Sequence, residues 1–172
     1  NLYTNGPAAR QREMLDSMVE TARLRGRREA RVSGGTPPGD GAAGGAAAVG
    51  DALAGGKDRR VYTADNGSTL PGRLVRSEGD GATSDAAVNE AYDGAGLTYD
   101  LFRRTYDRDS LDGRGMILDS TVHYQRAYDN AFWDGEQMVY GDGDGELFNR
   151  FTIAIDVIGH ELTHGVTQFE AK

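Results

Sequence analysis

The sequence predicts an α+β fold with a largely antiparallel sheet, a long helix and a C-terminal helix. Two observations lead to this prediction. Short segments rich in β-branched and aromatic residues, which are typical of strands, lie on both sides of a long segment with apolar residues at helical spacing. A second amphipathic segment closes the chain at 156–172. The predicted order is therefore strands, a helix, further strands and a last helix, which favours the α+β class.

Composition and charge argue against several classes of function. The chain has 172 residues, a net charge of −8 and a pI of about 4.8, and nucleic-acid partners usually require a basic surface instead. It has no cysteine, so disulfides and thiolate metal sites are excluded. No apolar run approaches the roughly 18 residues that span a bilayer, so no membrane partner is expected. No signal peptide is visible, and the chain starts at Asn1 without methionine, which leaves room for an upstream segment.

The chain divides into three predicted zones. Residues 1–32 contain a basic helix at 8–30, where seven arginines between Arg10 and Arg31 outnumber four acidic residues. This helix either docks onto the acidic remainder of the chain or stays solvated, and both interpretations remain open. Residues 33–58 are mostly Gly, Ala and Pro, so we expect a flexible linker that buries little apolar surface. Residues 59–172 have the composition of a folded domain.

The strands of the folded zone are predicted from turn signals and composition. Asn66-Gly67 separates apolar segments at 61–62 and 74–75, and this dipeptide is typical of hairpin turns. A strand is predicted at 116–125, which is rich in β-branched and aromatic residues. Asp134-Gly135 then marks the turn of a second hairpin.

A long helix is predicted after the first hairpin. Thr83, Ser84 or Asp85 can cap its start, because their side-chain oxygens accept hydrogen bonds from the first helical N–H groups. Gly94 and Gly96 are expected to bend this helix or to divide it in two. Its apolar residues fall on one stripe: Val88, Tyr92, Ala95, Tyr99, Phe102 and Tyr106.

The last predicted helix carries two of the three histidines of the chain. His160 and His164 are four residues apart and therefore share one helical face, with Glu161 about 100° around the helix from His160. This is the H-E-x-x-H pattern of zinc peptidases, in which the histidines bind zinc and the glutamate is the general base. The alternative is that both histidines only pack in the core. The apolar residues of this helix lie on the roughly opposite face: Ile155, Ile158, Leu162 and Val166.

Spacing beyond the second histidine separates classes of zinc peptidase. A metzincin needs glycine three residues beyond that histidine and a third histidine three residues further. Thr167 and Glu170 occupy those positions, so the metzincin class is excluded. We expect a third zinc ligand beyond Lys172.

The acidic stretch "GDGDGE" at 141–146 suggests a calcium loop but does not fit one. An EF-hand alignment with Asp142 and Asp144 at positions 3 and 5 places Tyr140 at position 1 and Phe151 at position 12. Neither aromatic side chain supplies the required carboxylate. A tight acidic turn is the better interpretation.

Three motifs in order resemble those of thermolysin-like neutral metallopeptidases. They are "HY" at 123–124, "DNAFWDGEQMVYGDGDGE" from Asp129 and "DVIGHELTHGVTQ" from Asp156. The resemblance runs from about Val61 to the end of the chain and includes "AYDGAGLTYDLF". The stretch "QREMLDSMVETARLRGRRE" resembles the prosegments of protealysin-like members. Residues 1–32 would then be an inhibitory pro-region, and the tether that follows would be cleaved.

The resemblance implies roles for particular residues. His160 and His164 would bind zinc, and Glu161 would act as general base on a water molecule. Asn130 and Ala131 would hold the backbone of a protein or peptide substrate at the edge of the sheet, with Trp133 on the same strand.

Two of the residues in these motifs have plainer alternatives. Asp156 is a candidate calcium ligand, or a carboxylate that orients the helix or its histidine. For the rings of Phe132 and Trp133, ordinary core packing is an equal alternative to a role in binding.

Several features of that family are absent from residues 1–172. They are the third zinc ligand, the histidine and tyrosine that stabilise the oxyanion, most calcium-site carboxylates and the helical C-terminal half. We therefore expect an N-terminal portion of a secreted zinc metalloendopeptidase, inactive alone, whose partner is its own C-terminal half. A second hypothesis is a non-catalytic, peptide-binding or inhibitory module on a peptidase scaffold. Glu161 argues against that hypothesis, because a binder does not need this carboxylate.

Overall fold

The computed structural model describes residues 56–146 and 148–171. The predicted basic helix at 8–30 and nearly all of the linker at 33–58 lie outside the described residues. The elements, in chain order, are β1 (Arg59–Thr63), β2 (Arg73–Ser77), α1 (Ala86–Tyr106), β3 (Leu118–Val122), β4 (Ala131–Trp133), β5 (Met138–Tyr140), a short 3₁₀ turn (Phe151–Ile153) and α2 (Ile155–Glu170). Neither of these two helices is long and apolar enough to cross a bilayer.

The five strands form one mixed sheet in the order β2-β1-β3-β5-β4. The α+β class is confirmed, but the sheet is not largely antiparallel. The two hairpins give antiparallel pairs at the edges, β1 with β2 and β4 with β5. In the centre, β3 runs parallel to both β1 and β5. α1 connects β2 to β3, and β3 then pairs with β1 instead of β2. The local hydrophobic pattern does not reveal which strand becomes the neighbour, so it does not reveal the parallel pairing.

The two hairpins differ in their turns. Asp134-Gly135 follows β4 directly, and Asp134 N–H donates to the Gln137 carbonyl at 3.1 Å, as expected of a tight hairpin. Asn66-Gly67 instead lies inside a longer connection at 64–72. Asn66 there has a φ of 63°, a conformation that asparagine tolerates well. The predicted antiparallel pairing is present, but a loop rather than a two-residue turn makes it.

α1 is one continuous helix with a side-chain cap. Asp85 Oδ1 accepts from the N–H groups of Ala87 and Val88 at 2.9 and 3.4 Å, which selects Asp85 among the three predicted caps. Gly94 and Gly96 do not divide the helix. A Cβ on Gly94 would lie 2.4 Å from Ile158 Cδ1, so glycine is needed there for the close approach of α2.

The main core lies between the two helices and one face of the sheet. α1 packs against β1 and β3, and α2 packs against β4 and against α1. Along β4 the side chains alternate, so Phe132 joins a second cluster on the opposite face with Tyr124, Tyr128 and Val139. The largest fully buried side chains of the main core are Trp133, Tyr140, Leu111, Leu118, Met138, Ile158 and Leu162.

The acidic stretch at 141–146 is a tight turn within the described residues. Asp144 Oδ1 accepts from the N–H groups of Glu146 and Phe148 at 2.9 and 3.2 Å, and Gly143 and Gly145 both have positive φ. Asp142 extends from this turn toward His123.

Candidate metal centre

α2 brings the two predicted zinc-binding imidazoles together. The Nε2 atoms of His160 and His164 lie 3.2 Å apart, and the ring planes are inclined at 86°. His160 is exposed and His164 is half-buried, whereas Ile158 and Leu162 on the other side of the helix are each 1% exposed. The two histidines therefore do not pack in the core, which excludes that alternative. The helix presents them at the surface because its apolar stripe is anchored beneath it.

The separation of the two nitrogens fits a shared zinc ion. Zinc–imidazole distances of about 2.0–2.1 Å in tetrahedral geometry place two ligand nitrogens about 3.3 Å apart. The observed 3.2 Å agrees with that separation without movement of either side chain. Within residues 56–146 and 148–171, only His160, Glu161 and His164 form a cluster of three groups whose ligand atoms lie within 4.8 Å of one another.

Glu161 is held on the side of α2 that faces the β4–β5 hairpin. It is only 7% exposed, and its Oε2 accepts from the backbone N–H of Trp133 at 3.3 Å. This bond holds one carboxylate oxygen toward β4, and the ligand atoms of the carboxylate and the two histidines lie within 4.8 Å of one another. A buried carboxylate with one oxygen engaged by a backbone donor is well placed to exchange a proton through its other oxygen.

The predicted substrate-binding residues lie on β4, the last strand of the sheet among the described residues. The Asn130 carbonyl accepts from Gly141 N–H at 2.9 Å, and Asp134 N–H donates to Gln137. Backbone groups of alternate residues point to opposite sides of a strand, so those of Ala131 and Trp133 point away from β5. The Ala131 N–H donates to the side chain of its neighbour, Asn130 Oδ1, at 2.9 Å.

The exposure of β4 decides which parts of its residues belong to the core. Phe132 and Trp133 are 0% and 1% exposed, so both rings belong to the core, as the plainer alternative proposed. Ala131 is also only 1% exposed, although it lies at a sheet edge. A role of Ala131 or Trp133 in holding a peptide would come from their backbone groups.

A groove between α1 and α2 opens in front of the histidines. Its walls include Leu97, Leu101, Ile155, Thr163 and both histidines. Leu97 and Leu101 are 61% and 59% exposed, and Ile155 is 49% exposed. Ile155 was predicted on the buried stripe of α2, but it lies in the first turn, beyond the edge of the core, and lines the groove instead.

Asp156 lies on the same groove, one turn before His160. It is exposed and occupies the first turn of α2, where a negative charge interacts favourably with the helix dipole. Its carboxylate belongs to no described cluster of three ligand groups. Its predicted roles as a calcium ligand or as an orienting carboxylate both stay predictions.

Two polar residues of the quoted motifs, His123 and Gln168, make defined contacts that the sequence did not predict. His123 lies between Asp142, which it contacts through Nδ1, and Asp85, which it contacts through Nε2. Gln168 connects α2 to the β4–β5 hairpin by two hydrogen bonds. His123 gave no spacing signal, because its partners are 38 and 19 residues away. Gln168 could have been found, since it lies seven residues after Glu161 and therefore on the same helical face.

Comparison with known proteins gives consistent matches over the folded zone. The model of the family described as "Thermolysin metallopeptidase, catalytic domain" matches residues 49–168. An extracellular metalloprotease of Pectobacterium carotovorum subsp. carotovorum is 55% identical over 118 residues, and a thermolysin of Alicyclobacillus acidocaldarius subsp. acidocaldarius is 50% identical over 114 residues. The solved precursor of protealysin, a metalloproteinase from Serratia proteamaculans, superposes with a TM-score of 0.67 at 54% identity.

The matched regions cover unequal shares of the proteins compared. The match covers 69% of this chain for the Pectobacterium protein, 64% for the Alicyclobacillus thermolysin and 71% for the Serratia precursor. The same regions correspond to 34% of the Pectobacterium protein, 21% of the Alicyclobacillus thermolysin and 38% of the Serratia precursor chain. The chain therefore spans about a third or less of the length of these relatives.

Proposed function

This chain belongs to the thermolysin metallopeptidase family, and on that premise we propose that it supplies the zinc-binding helix and the general base of a zinc-dependent metalloendopeptidase. The single observation that carries the proposal is the 3.2 Å separation of His160 Nε2 and His164 Nε2 at the surface of α2, beside the buried Glu161. A helix with no metal to bind has no need to pair two imidazoles in this way.

The metal would be held by His160 and His164 through Nε2. When bound, zinc supplies a Lewis acid that lowers the pKa of water and polarises the scissile carbonyl. Catalytic zinc sites use three protein ligands, and the described cluster offers two imidazoles. We therefore expect a polypeptide of residues 1–172 alone to bind zinc weakly and to cleave no peptide measurably. A zinc titration of that polypeptide tests this expectation.

Glu161 is proposed as the general base. Its Oε2 is engaged by Trp133 N–H at 3.3 Å, so Oε1 is the oxygen proposed to accept a proton from the attacking water. The same carboxyl group would then return the proton to the leaving amine. Its burial removes competing bulk water, which strengthens its electrostatic interaction with the reacting groups.

The substrate is proposed to be an extended peptide that pairs with the outer edge of β4. Support comes from the terminal position of β4 in the described sheet and from the backbone groups of Ala131 and Trp133, which face away from β5. Their N–H groups donate to Asn130 Oδ1 and Glu161 Oε2, so a pairing peptide would have to displace these two bonds. Backbone pairing gives affinity for many side chains, as an endopeptidase requires. Asn130 would add a side-chain amide at the start of this strand. Because Ala131 and Trp133 are buried here, a peptide can pair only after this edge is uncovered.

We also propose that the protein is secreted as a zymogen and has residues 1–32 as its inhibitory pro-region. The relatives include a protein named extracellular metalloprotease and a structure titled as the precursor of protealysin. Asp156 is kept as a proposed calcium ligand, with no further assignment.

The proposed partner of the described domain is the protein's own C-terminal half. The groove beside the histidines exposes Leu97, Leu101 and Ile155, and each is about half or more exposed to solvent. Large apolar side chains grouped next to a proposed active site favour a covering element. Such an element is also the proposed source of the third zinc ligand.

The replacement Glu161→Gln in the full-length protein tests the proposed function. It keeps an acceptor for Trp133 N–H but cannot take a proton at neutral pH. We expect proteolysis to fall by at least about 100-fold, the contribution of a general base, while zinc content stays at the wild-type value. Unchanged proteolysis would contradict the role of Glu161, and a wild-type protein with peptide binding but no cleavage would favour the non-catalytic module.

A further inference from the structure

α2 has a second polar face, distinct from the one that carries the histidines. Glu161, Gly165 and Gln168 follow one another at spacings of four and three residues and therefore share a face. That face meets the β4–β5 hairpin. A Cβ on Gly165 would lie 2.8 Å from Leu111 Cδ1 and 3.3 Å from the indole of Trp133, so the helix backbone lies directly against this ring.

Gln168 holds the hairpin at two points. Its Oε1 accepts from Trp133 Nε1 at 3.0 Å, and its Nε2 donates to the Gly135 carbonyl at 3.1 Å. The orientation of the amide follows from its partners, since an indole N–H can only donate and a carbonyl can only accept. The side chain therefore joins the last residue of β4 to the turn that follows it.

The third connection between α2 and this hairpin involves the proposed general base. Trp133 N–H donates to Glu161 Oε2 at 3.3 Å, which is long for a hydrogen bond to oxygen. One long bond defines the position of the strand relative to the carboxylate less closely than several shorter bonds would. The two bonds of Gln168, two turns further along α2, are shorter and add two points of attachment.

We propose that Gln168 is a positioning residue that sets the register of the β4 edge relative to Glu161. The inference rests on the proposed function, because it concerns how a peptide paired with β4 reaches that carboxylate. Gln168 touches neither the proposed metal ligands nor the outer edge of β4. Its effect passes through Trp133, whose ring it holds and whose outward-facing backbone N–H makes the contact with Glu161.

The test replaces Gln168 by leucine in the full-length protein and compares two substrates. One is a peptide long enough to pair with β4, and the other is a short blocked dipeptide that cannot. For the long peptide we expect kcat/KM to fall by about 10- to 100-fold, mainly through kcat, because misplacement of a reacting group by about 1 Å costs that much. For the short substrate we expect a change within about twofold, with zinc content unchanged.

Two further variants provide the controls. Gln168→Glu keeps an acceptor for Trp133 Nε1 but loses the donor to Gly135, so we expect a smaller loss on the long peptide than for leucine. Glu170→Gln removes the negative charge from the ion pair of the same helix with Arg108, away from the hairpin, and should leave both substrates unaffected. If the leucine variant does not fold, the glutamate variant must show the same difference between the two substrates.

Equal losses on both substrates, or no loss on either, would overturn the role of Gln168. These outcomes are separate from failure of the proposed function. If the wild-type protein cleaves no peptide, or if Glu161→Gln remains fully active, the proposed function fails first. If the wild-type protein is an active peptidase and Gln168→Leu matches it on the long peptide, only the present inference fails.

Discussion

At the scale of single residues, the fold gives His123 two carboxylate neighbours that its position in the sequence does not indicate. Its Nδ1 lies 2.8 Å from Asp142 Oδ2 and its Nε2 lies 2.8 Å from Asp85 Oδ2. The hydrogen bond with Asp142 raises the pKa of His123, burial lowers it, and the bond with Asp85 raises it again, with a result of about 9. The imidazole is therefore charged at neutral pH and joins α1 to the turn after β5.

The first prediction at this scale is a loss of stability at alkaline pH. The pKa of His123 is about 9 in the folded protein against an ordinary value near 6.5, so its contribution is complete below about pH 6.5 and is lost as pH rises through about 9. Asp85 and Asp142 face the imidazole, and Arg150, paired with Glu90, also acts on both carboxylates through its charge. Thermal unfolding of the full-length protein measured between pH 6 and 10 checks this.

The matched variant is His123→Gln, which keeps hydrogen-bonding groups but has no charge to lose. At pH 7 we expect it to be less stable than wild type by about 1.5–3 kcal/mol, the usual contribution of hydrogen bonds to charged groups. The decline of stability between pH 7 and 10 should be reduced in the variant. Identical pH profiles for the two proteins would show that His123 is not the group that titrates.

The start of α1 shows, at the scale of secondary-structure elements, how one side chain can serve two of them. Asp85 Oδ1 accepts from two helical N–H groups, and Asp85 Oδ2 contacts His123 at the end of β3. The cap was predictable from the sequence, because capping depends on neighbouring residues. The ion pair and the parallel centre of the sheet were not predictable, since both depend on how distant segments meet.

The second prediction separates these two functions of Asp85. Asp85→Ala should destabilise the full-length protein by about 2–4 kcal/mol, since it removes a helix cap and a charged hydrogen bond together. Asp85→Asn retains the cap, because asparagine caps as well as aspartate does, and should lose only the contribution of the ion pair. Urea unfolding at pH 7 measures both values. Equal destabilisation by the two replacements would contradict a capping role.

The described part of the molecule combines a rigid core with an exposed apolar groove at the scale of the whole domain. Beneath the histidines, Ile158 and Leu162 anchor α2 to the core, and Trp133 ties the same helix to the sheet. In front of the histidines, Leu97 and Leu101 remain exposed. The two imidazoles therefore lie on a helix that is packed against the core, and they face a groove that the described residues leave open to solvent.

The candidate site was predictable from the sequence to the extent that it is local. His160, Glu161 and His164 lie within five residues of one helix, so helical geometry alone brings the two imidazoles to one face. The contact of Glu161 with Trp133 joins residues 28 positions apart and could not be read from spacing. The burial of Ala131 at a sheet edge was equally unpredictable, because strand order had to be known first.

The central claim is that His160 and His164 together hold a zinc ion, and the zinc content of the purified full-length protein tests it most directly. We expect about one zinc per chain in the wild type, as in other catalytic zinc sites. In the double variant His160→Ala/His164→Ala, zinc content should fall to background while the far-ultraviolet circular dichroism is retained. A double variant that still binds one zinc per chain, or a wild type that binds none, would contradict the account.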